Sequence, residues 1–461
     1  MHTESAPAGA ARVVGVLAVV VLMALTIWRS FGGPPSLFAA MIAATAVLVA
    51  VEFRNIPSNL RTTSLILLTL SVLLLPFARS PLVAIQRGVF ISCLLIALMA
   101  SVMLLARCAL RSRVVHVIGS NLRAQRPGRR YGSFTFAGQL FSGMLGMAGA
   151  NIVMVMAAPP GEPHGERKTS AIVAIMRGFS AASFWSPMFG NMAILLTLYP
   201  TLRWSEVFPV GVAVAQLTLI VGILIHRSEM QRGGAHVEEA PPSGMAAAAI
   251  PLLGAMLAFL AIVLTASRLL GISTTAAIVL LGPWVAVALN IGMSHRGRRL
   301  KEGLRRLRED MLRFPGLASE AILFIAAGCA GSVMGDAFPA SWVAAIGASL
   351  GNHPAFGVAF LMFGIMGVAL CGIHPVLTAV FLASTITPEV LGLPPLLHVS
   401  AILTGWGLSA SLTPFSVLSL TASRYAGDSL YRISMARNAV FALVNSSLAC
   451  VVLTAVALVL D

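Results

Sequence analysis

The chain has 461 residues, 58% of them hydrophobic and only 10% charged, with a mean hydropathy of +0.91. A soluble domain carries about 25% charged residues, so this composition excludes a soluble enzyme or binding domain and indicates an all-α polytopic membrane protein. The net charge of +15 does not point to nucleic acid, because the basic residues fall in short loops between apolar spans, where anionic lipid is the partner.

Apolar runs long enough to cross a bilayer as helices are read, in chain order, at 13–28, 36–52, 63–78, 88–106, 170–200, 205–226, 246–268, 272–292, 317–335, 398–424 and 434–460. The first run lacks a small-residue cleavage site before Arg29 and is read as a retained span. Two further stretches, 133–158 and 354–386, are interrupted near their middles, by Gly143, Gly146, Gly149 and Asn151 in one and by Gly372-Ile373-His374-Pro375 in the other. Each is either a bent span or a re-entrant hairpin.

Positive charge selects the hairpin. The segments 107–130 and 296–313 are the densest in Arg and Lys, and both belong on the cytoplasmic side. An even number of crossings must separate them, and four clear spans lie between, so 133–158 does not cross. This gives about 11 transmembrane helices with the N-terminus cytoplasmic in a cell (inner) membrane, and places 25 of the 31 Lys and Arg inside. Around the second interruption the order of elements repeats: three spans, a surface segment (108–126 or 337–350), a hairpin, a broken span and a span. The surface segments then fall on opposite sides, so the repeats are inverted. The expected organisation is an N-terminal span (1–34), a first repeat (35–226), a cytoplasmic linker (227–243) and a second repeat (244–461). Leu300, Leu304, Leu307, Met311 and Phe314 share one face of 296–313, as in an amphipathic helix lying on the membrane.

The spans 170–200 and 398–424 are themselves broken. One reads Ser180, Ser183, Ser186-Pro187; the other Ser409, Ser411, Thr413-Pro414. Pro removes a backbone donor and clashes with the preceding turn. Within hydrocarbon such a break is tolerated only inside protein or against a cavity. Matching breaks in two halves mark a transporter's binding site.

This arrangement resembles the ion transporter superfamily, in particular the divalent anion/sodium symporters and the related arsenite and sodium/proton antiporters. The resemblance covers about residues 36–460. It implies hairpin tips and helix breaks that meet at mid-membrane to hold a small-molecule or ion substrate and a coupling ion. It also implies an elevator-like motion and a homodimer. The symporters carry Ser-Asn-Thr at both tips; here the positions read Ala150-Asn151-Ile152 and Ile373-His374-Pro375, so only Asn151 is retained.

The candidate substrate-binding residues are Asn151, Arg177, Ser180, Ser183, Ser186, Asn191, Thr378, Ser409, Ser411 and Thr413, with Ser142 beside them. His374, Asn151 and Ser416 are the candidates for ion coupling. A Ser or Thr in such a span also serves simply to bond its own backbone. Arg177 either snorkels to the cytoplasmic surface or is a counter-charge for an anion. His374 is either a proton carrier or a neutral His bonded to backbone at a turn. No cofactor or metal is expected beyond a coupling sodium ion or proton. The cysteines (Cys93, Cys108, Cys329, Cys371, Cys450) form no CxxC pair. No HExxH or Walker A motif is present. The sequence therefore predicts a secondary transporter of a small, anionic (carboxylate or oxyanion) solute. The alternatives are a cation/proton antiporter, for which Glu320 and Asp336 are the nearest carboxylates, and a membrane-embedded enzyme acting on a lipid-linked substrate.

Overall fold

A computed structural model of the protein describes residues 6–125, 127–159, 165–232, 245–294, 299–350 and 353–460. Most of the expected linker, including Gly233-Gly234 and Pro241-Pro242, lies outside the described residues. The described chain is all helical. Its helices are α1 (Ala6–Ser30), α2 (Leu37–Glu52), α3 (Ser58–Leu74), α4 (Pro81–Arg111), α5 (Arg113–Arg123), α6 (Pro127–Ala157), α7 (Glu166–Ala182), α8 (Gly190–Leu198), α9 (Trp204–Arg232) and α10 (Met245–Leu270). They continue with α11 (Thr274–Gly292), α12 (Arg299–Met311), α13 (Ala318–Ala337), α14 (Ala340–Leu350), α15 (Pro354–Leu370), α16 (Pro375–Thr385), α17 (Pro395–Leu412), α18 (Val417–Ala426) and α19 (Arg437–Leu460). Among the described residues, ten helical segments are long and apolar enough to cross a membrane, and eleven if the pair α14–α15, bent by 117°, is counted as one.

The chain forms two compact units that do not follow its sequence halves. Residues 1–109 and 260–339 make one, residues 110–259 and 340–461 the other, so α4 and α10 each contribute to both. In the first unit α1 packs on α2 and α13 on α3. Small residues let α4 approach its neighbours: the Ser92 hydroxyl donates to the Phe324 carbonyl at 2.8 Å, and Gly88 lies against the backbone of Gly328 and Cys329. The buried carboxylate of Asp310 pairs with Arg107 at 3.2 Å and ties α12 to α4. On α12, Leu300 and Leu304 stay exposed while Phe314 beyond its end is buried, as expected of a helix lying along an apolar phase.

The second unit holds both hairpins and both broken helices. α6 has 31 residues and would extend roughly 46 Å if straight. It is not straight. Gly146 adopts φ 54°, ψ −136°, a conformation that excludes other residues at little cost only to glycine. Beyond it the chain turns back so tightly that a Cβ on Gly149 would collide with the Phe141 carbonyl. Arg123, just before α6, donates to the Met156 carbonyl at its far end at 2.9 Å. Both arms therefore begin and end on one side, as a re-entrant hairpin requires, although length and hydropathy alone would pass 129–157 as a crossing.

The second hairpin is built differently. α15 ends at Cys371, Gly372 takes φ 88°, and α16 returns. Gly347 lies against the Val390 carbonyl, and Gly357 against Leu391 and Leu393, so the exit of this hairpin also sits beside its start. The spans predicted at 170–200 and 398–424 are each two helices. α7 and α8 are separated by 183–189, and α17 and α18 by 413–416. α14 has no buried residue and exposes Trp342, consistent with a surface helix.

Candidate functional site

The two breaks meet. Ser180, one turn before the first, donates to the Ser411 hydroxyl at 3.0 Å, just before the second. Gly407 on α17 is pressed against the Ser183 hydroxyl and the Phe184 ring, where any side chain would collide. All of Ser180, Ser183, Ser186, Ser409, Ser411 and Thr413 are buried.

Both breaks use the same local chemistry. The residue before each Pro carries a hydroxyl that accepts the amide two residues on: Met188 to Ser186 at 3.1 Å, Phe415 to Thr413 at 3.3 Å. That turn replaces the helical bonds which Pro187 and Pro414 cannot make. Each hydroxyl then donates to a hairpin. Ser186 reaches the Gly143 carbonyl near the first tip, and Thr413 reaches the Ala369 carbonyl, at 2.8 Å, near the second. The donor lies 43 residues after its acceptor in one case and 44 in the other. Each hydroxyl thus fixes a hairpin tip to its own helix break.

The remaining hydroxyls show where local bonding dominates. Ser183 donates to the Ser180 carbonyl (2.7 Å), Ser409 to that of Trp406 (2.6 Å) and Ser411 to that of Leu408 (3.1 Å). These donors are spent on backbone, and the oxygens that remain are acceptors. Ser416 caps α18, accepting from the Ser419 amide at 2.9 Å and donating to the Ala410 carbonyl at 2.6 Å. Asn191 bridges the first break, with Nδ2 on the Ser183 carbonyl at 3.2 Å and Oδ1 on the Met192 amide at 2.9 Å. Thr378 is half-buried one turn into α16.

Four buried polar atoms on and beside the first hairpin find no protein partner: Gln139 Oε1, Ser142 Oγ, Asn151 Oδ1 and Trp185 Nε1. Trp185 belongs to the first break, and its ring packs on Gly143. A buried polar group left unbonded costs about 1–3 kcal/mol, so such groups mark where a ligand or ion can be held. The sequence reading included Ser142 and Asn151 and omitted Gln139 and Trp185. Neither carries a signal of its own in the sequence: Gln139 lies in the arm before the glycines, and Trp185 stands beside Ser186-Pro187.

For two residues the structure bears on readings that the sequence leaves open. Arg177 does not snorkel: it is among the largest fully buried side chains. Its Nε donates to Asn438 Oδ1 (3.0 Å), one terminal nitrogen to the Tyr131 hydroxyl (2.7 Å), and the other to the Arg437 carbonyl (2.6 Å). The guanidinium also lies over the Phe441 ring, 4.7 Å from its centroid. These neutral acceptors on α6 and α19 fill its donor fork, and no other predicted site residue is among them. His374 is the N-cap of α16, its Nδ1 accepting the Val376 amide at 3.2 Å. His353 does the same for α15 with the Ala355 amide, also at 3.2 Å. Two His-Pro caps thus open the two arms of the second hairpin, and capping by itself accounts for His374.

No protein-family model matches the chain, and no curated protein matches it. Among solved structures it is similar to the crystal structure of the YdaH transporter of Alcanivorax borkumensis, described as having an unusual topology. The TM-score is 0.52 at 17% identity, over 86% of this chain and 97% of that one. At that identity the likeness is one of fold: this chain is an all-helical multi-pass membrane protein whose fold is similar to that of YdaH.

Proposed function

We propose that the protein is a secondary active transporter that moves a small anionic solute across the membrane by alternating access. The observation that carries this reading is the meeting of two helix breaks through Ser180 and Ser411, each clipped to a hairpin tip. The unbonded polar atoms of Gln139, Ser142, Asn151 and Trp185 supply groups that a solute or coupling ion would satisfy. The N-terminal ends of α8 and α18 lie at the breaks, and helix N-termini favour anions. The order of elements and the matched clips support two inverted repeats. The Arg and Lys distribution supports a cytoplasmic N-terminus. An elevator-like motion would carry the hairpins and broken helices, which share one compact unit, as a single body.

Antiport of a cation against protons is less well served. It needs a carboxylate at the site, and none of the residues named above at the breaks and hairpin tips is Asp or Glu, while Asp336 accepts the Ser80 amide at 2.6 Å. The test is uptake of labelled succinate, citrate and phosphate into proteoliposomes under imposed proton and sodium gradients. Accumulation driven by one gradient, and lost in the Ser183→Ala/Ser411→Ala double variant, is the expected result. A double variant that accumulates solute normally would remove the assignment of the breaks as the site.

A further inference from the structure

A second polar constellation lies away from the breaks, where α8 ends, the second hairpin exits and α17 begins. His398 is fully buried, and Tyr199 nearly so. His398 Nε2 faces the Ile386 carbonyl at 2.8 Å, and its Nδ1 faces the Tyr199 hydroxyl at 2.9 Å. The same hydroxyl lies 3.2 Å from the Ala383 carbonyl. A carbonyl only accepts, so Nε2 carries a hydrogen in every state. Tyr199 has one hydrogen to give and two acceptors within reach.

That arithmetic yields two bonding patterns. With a neutral ring, Nδ1 is bare and takes the Tyr199 hydrogen, leaving Ala383 the poorer share. Once Nδ1 gains a proton from water, it donates to the Tyr199 oxygen, and the Tyr199 hydrogen turns to Ala383. All three contacts are then full hydrogen bonds, and no covalent bond other than the new N–H has formed. We propose that His398 and Tyr199 form a proton-binding site whose occupancy sets how firmly the last turn of α16 is held to α8 and α17. In the transporter reading above, on which only this clause rests, it is the place where a coupling proton is taken up, in preference to His374, whose Nδ1 is committed to its cap.

Burial opposes charge on this ring, so an imidazolium here depends on its hydrogen-bond partners and on nearby anions. Glu389 is exposed in the turn Pro388–Leu391 and acts through space on both Tyr199 and His398. A hydrogen bond from Thr387, then one from its own backbone amide, holds the Glu389 carboxyl below the usual range, so it stays anionic and acts against the effect of burial on the ring. Ser384 Oγ and Thr385 Oγ1 are buried on the same strand of chain without protein partners. The other charged groups on neighbouring elements are engaged elsewhere. Glu206 accepts the Arg203 amide at the start of α9, and His353 and His374 cap α15 and α16. α14 carries no charge. Arg177 and Arg437 are bonded to each other's elements near Ser180, whose partner Ser411 lies thirteen residues, roughly 20 Å, along α17 from His398.

The test uses the full chain in lipid nanodiscs and needs no solute. With nitrogen-15 labelled histidine, the His398 ring should begin to pass from neutral to doubly protonated only on the acid side of the free-imidazole range, below about pH 6. That signal should vanish in His398→Gln, and its midpoint should fall by about one pH unit in Tyr199→Phe, which removes the acceptor of Nδ1–H. Hydrogen exchange at 375–385, corrected for the intrinsic pH effect, should be slowed about threefold to tenfold on the acid side of the midpoint in the wild type and unchanged in Tyr199→Phe. A His398 ring that stays neutral throughout, or equal acid-side protection in wild type and Tyr199→Phe, overturns the proposal. Tyr199→Phe alone decides the matter if His398→Gln does not fold. A protein that titrates in this way yet takes up none of the labelled anions would leave the proton site standing and remove the anion reading.

Discussion

Arg177 shows how one residue divides what a sequence tells from what it withholds. A charge inside an apolar run signals function by default, because it costs roughly 2.5–3.5 kcal/mol on insertion scales at a helix centre. The structure spends that charge on Tyr131, Asn438 and the Arg437 carbonyl, residues that lie 46, 261 and 260 positions away along the chain. Replacing it with Met should destabilise the folded protein by about 3 kcal/mol, since three buried acceptors lose a charged donor. Lys should not rescue, because a single ammonium cannot fill a planar fork. Thermal unfolding in detergent checks this, and a stable Arg177→Met variant with a raised KM for solute would favour the counter-charge reading. The hydroxyls at the breaks behave in the opposite way. Ser180→Ala removes the bond that joins the two broken helices and should cost only about 1 kcal/mol while lowering uptake severely. Wild-type uptake in Ser180→Ala would show that the bond is packing alone.

At the scale of elements, the helices were legible because hydropathy and punctuation are local. The breaks at Ser186-Pro187 and Thr413-Pro414, the surface helices α5 and α14, and the amphipathic α12 all follow from spacing within one segment. The glycines of 127–157 mark an interruption but do not decide between a bent span and a hairpin, since its hydropathy passes for a crossing. The hairpin was inferred from charge on either side, and the fold-back at Gly146 is what the structure adds. Gly146→Ala should cost about 1 kcal/mol or more for the positive φ, and Gly149→Val should abolish folding because the arms could not close. Expression and thermal stability read both. For the second hairpin, cysteines placed at Gly347 and Val390 in a cysteine-free background should cross-link under mild oxidation, because these positions touch. Failure to cross-link in membranes would mean that α16 does not return to the side from which α15 starts.

For the whole molecule, orientation rests on counting charge, and accessibility tests it. A cysteine at Arg203 should react with a membrane-impermeant maleimide in right-side-out vesicles, and one at Arg305 only after the membrane is opened. The reverse labelling would invert the topology. The compact units add a fact that no linear reading contains. Each draws on both halves of the chain, and the hairpins and breaks of both halves are gathered into one of them.

Composition and the spacing of apolar runs were enough to determine a membrane protein of many helices with two interrupted spans, because bilayer thickness and backbone bonding act on each segment alone. Tertiary structure decided which polar groups remain unbonded. Ser183 and Ser409 turned inward to their own backbone, Gln139 and Trp185 were left without partners, and His398 met Tyr199 across 199 residues of chain. Hydrogen-bond partners are fixed by contacts between distant segments, and a pattern read along one segment does not contain them.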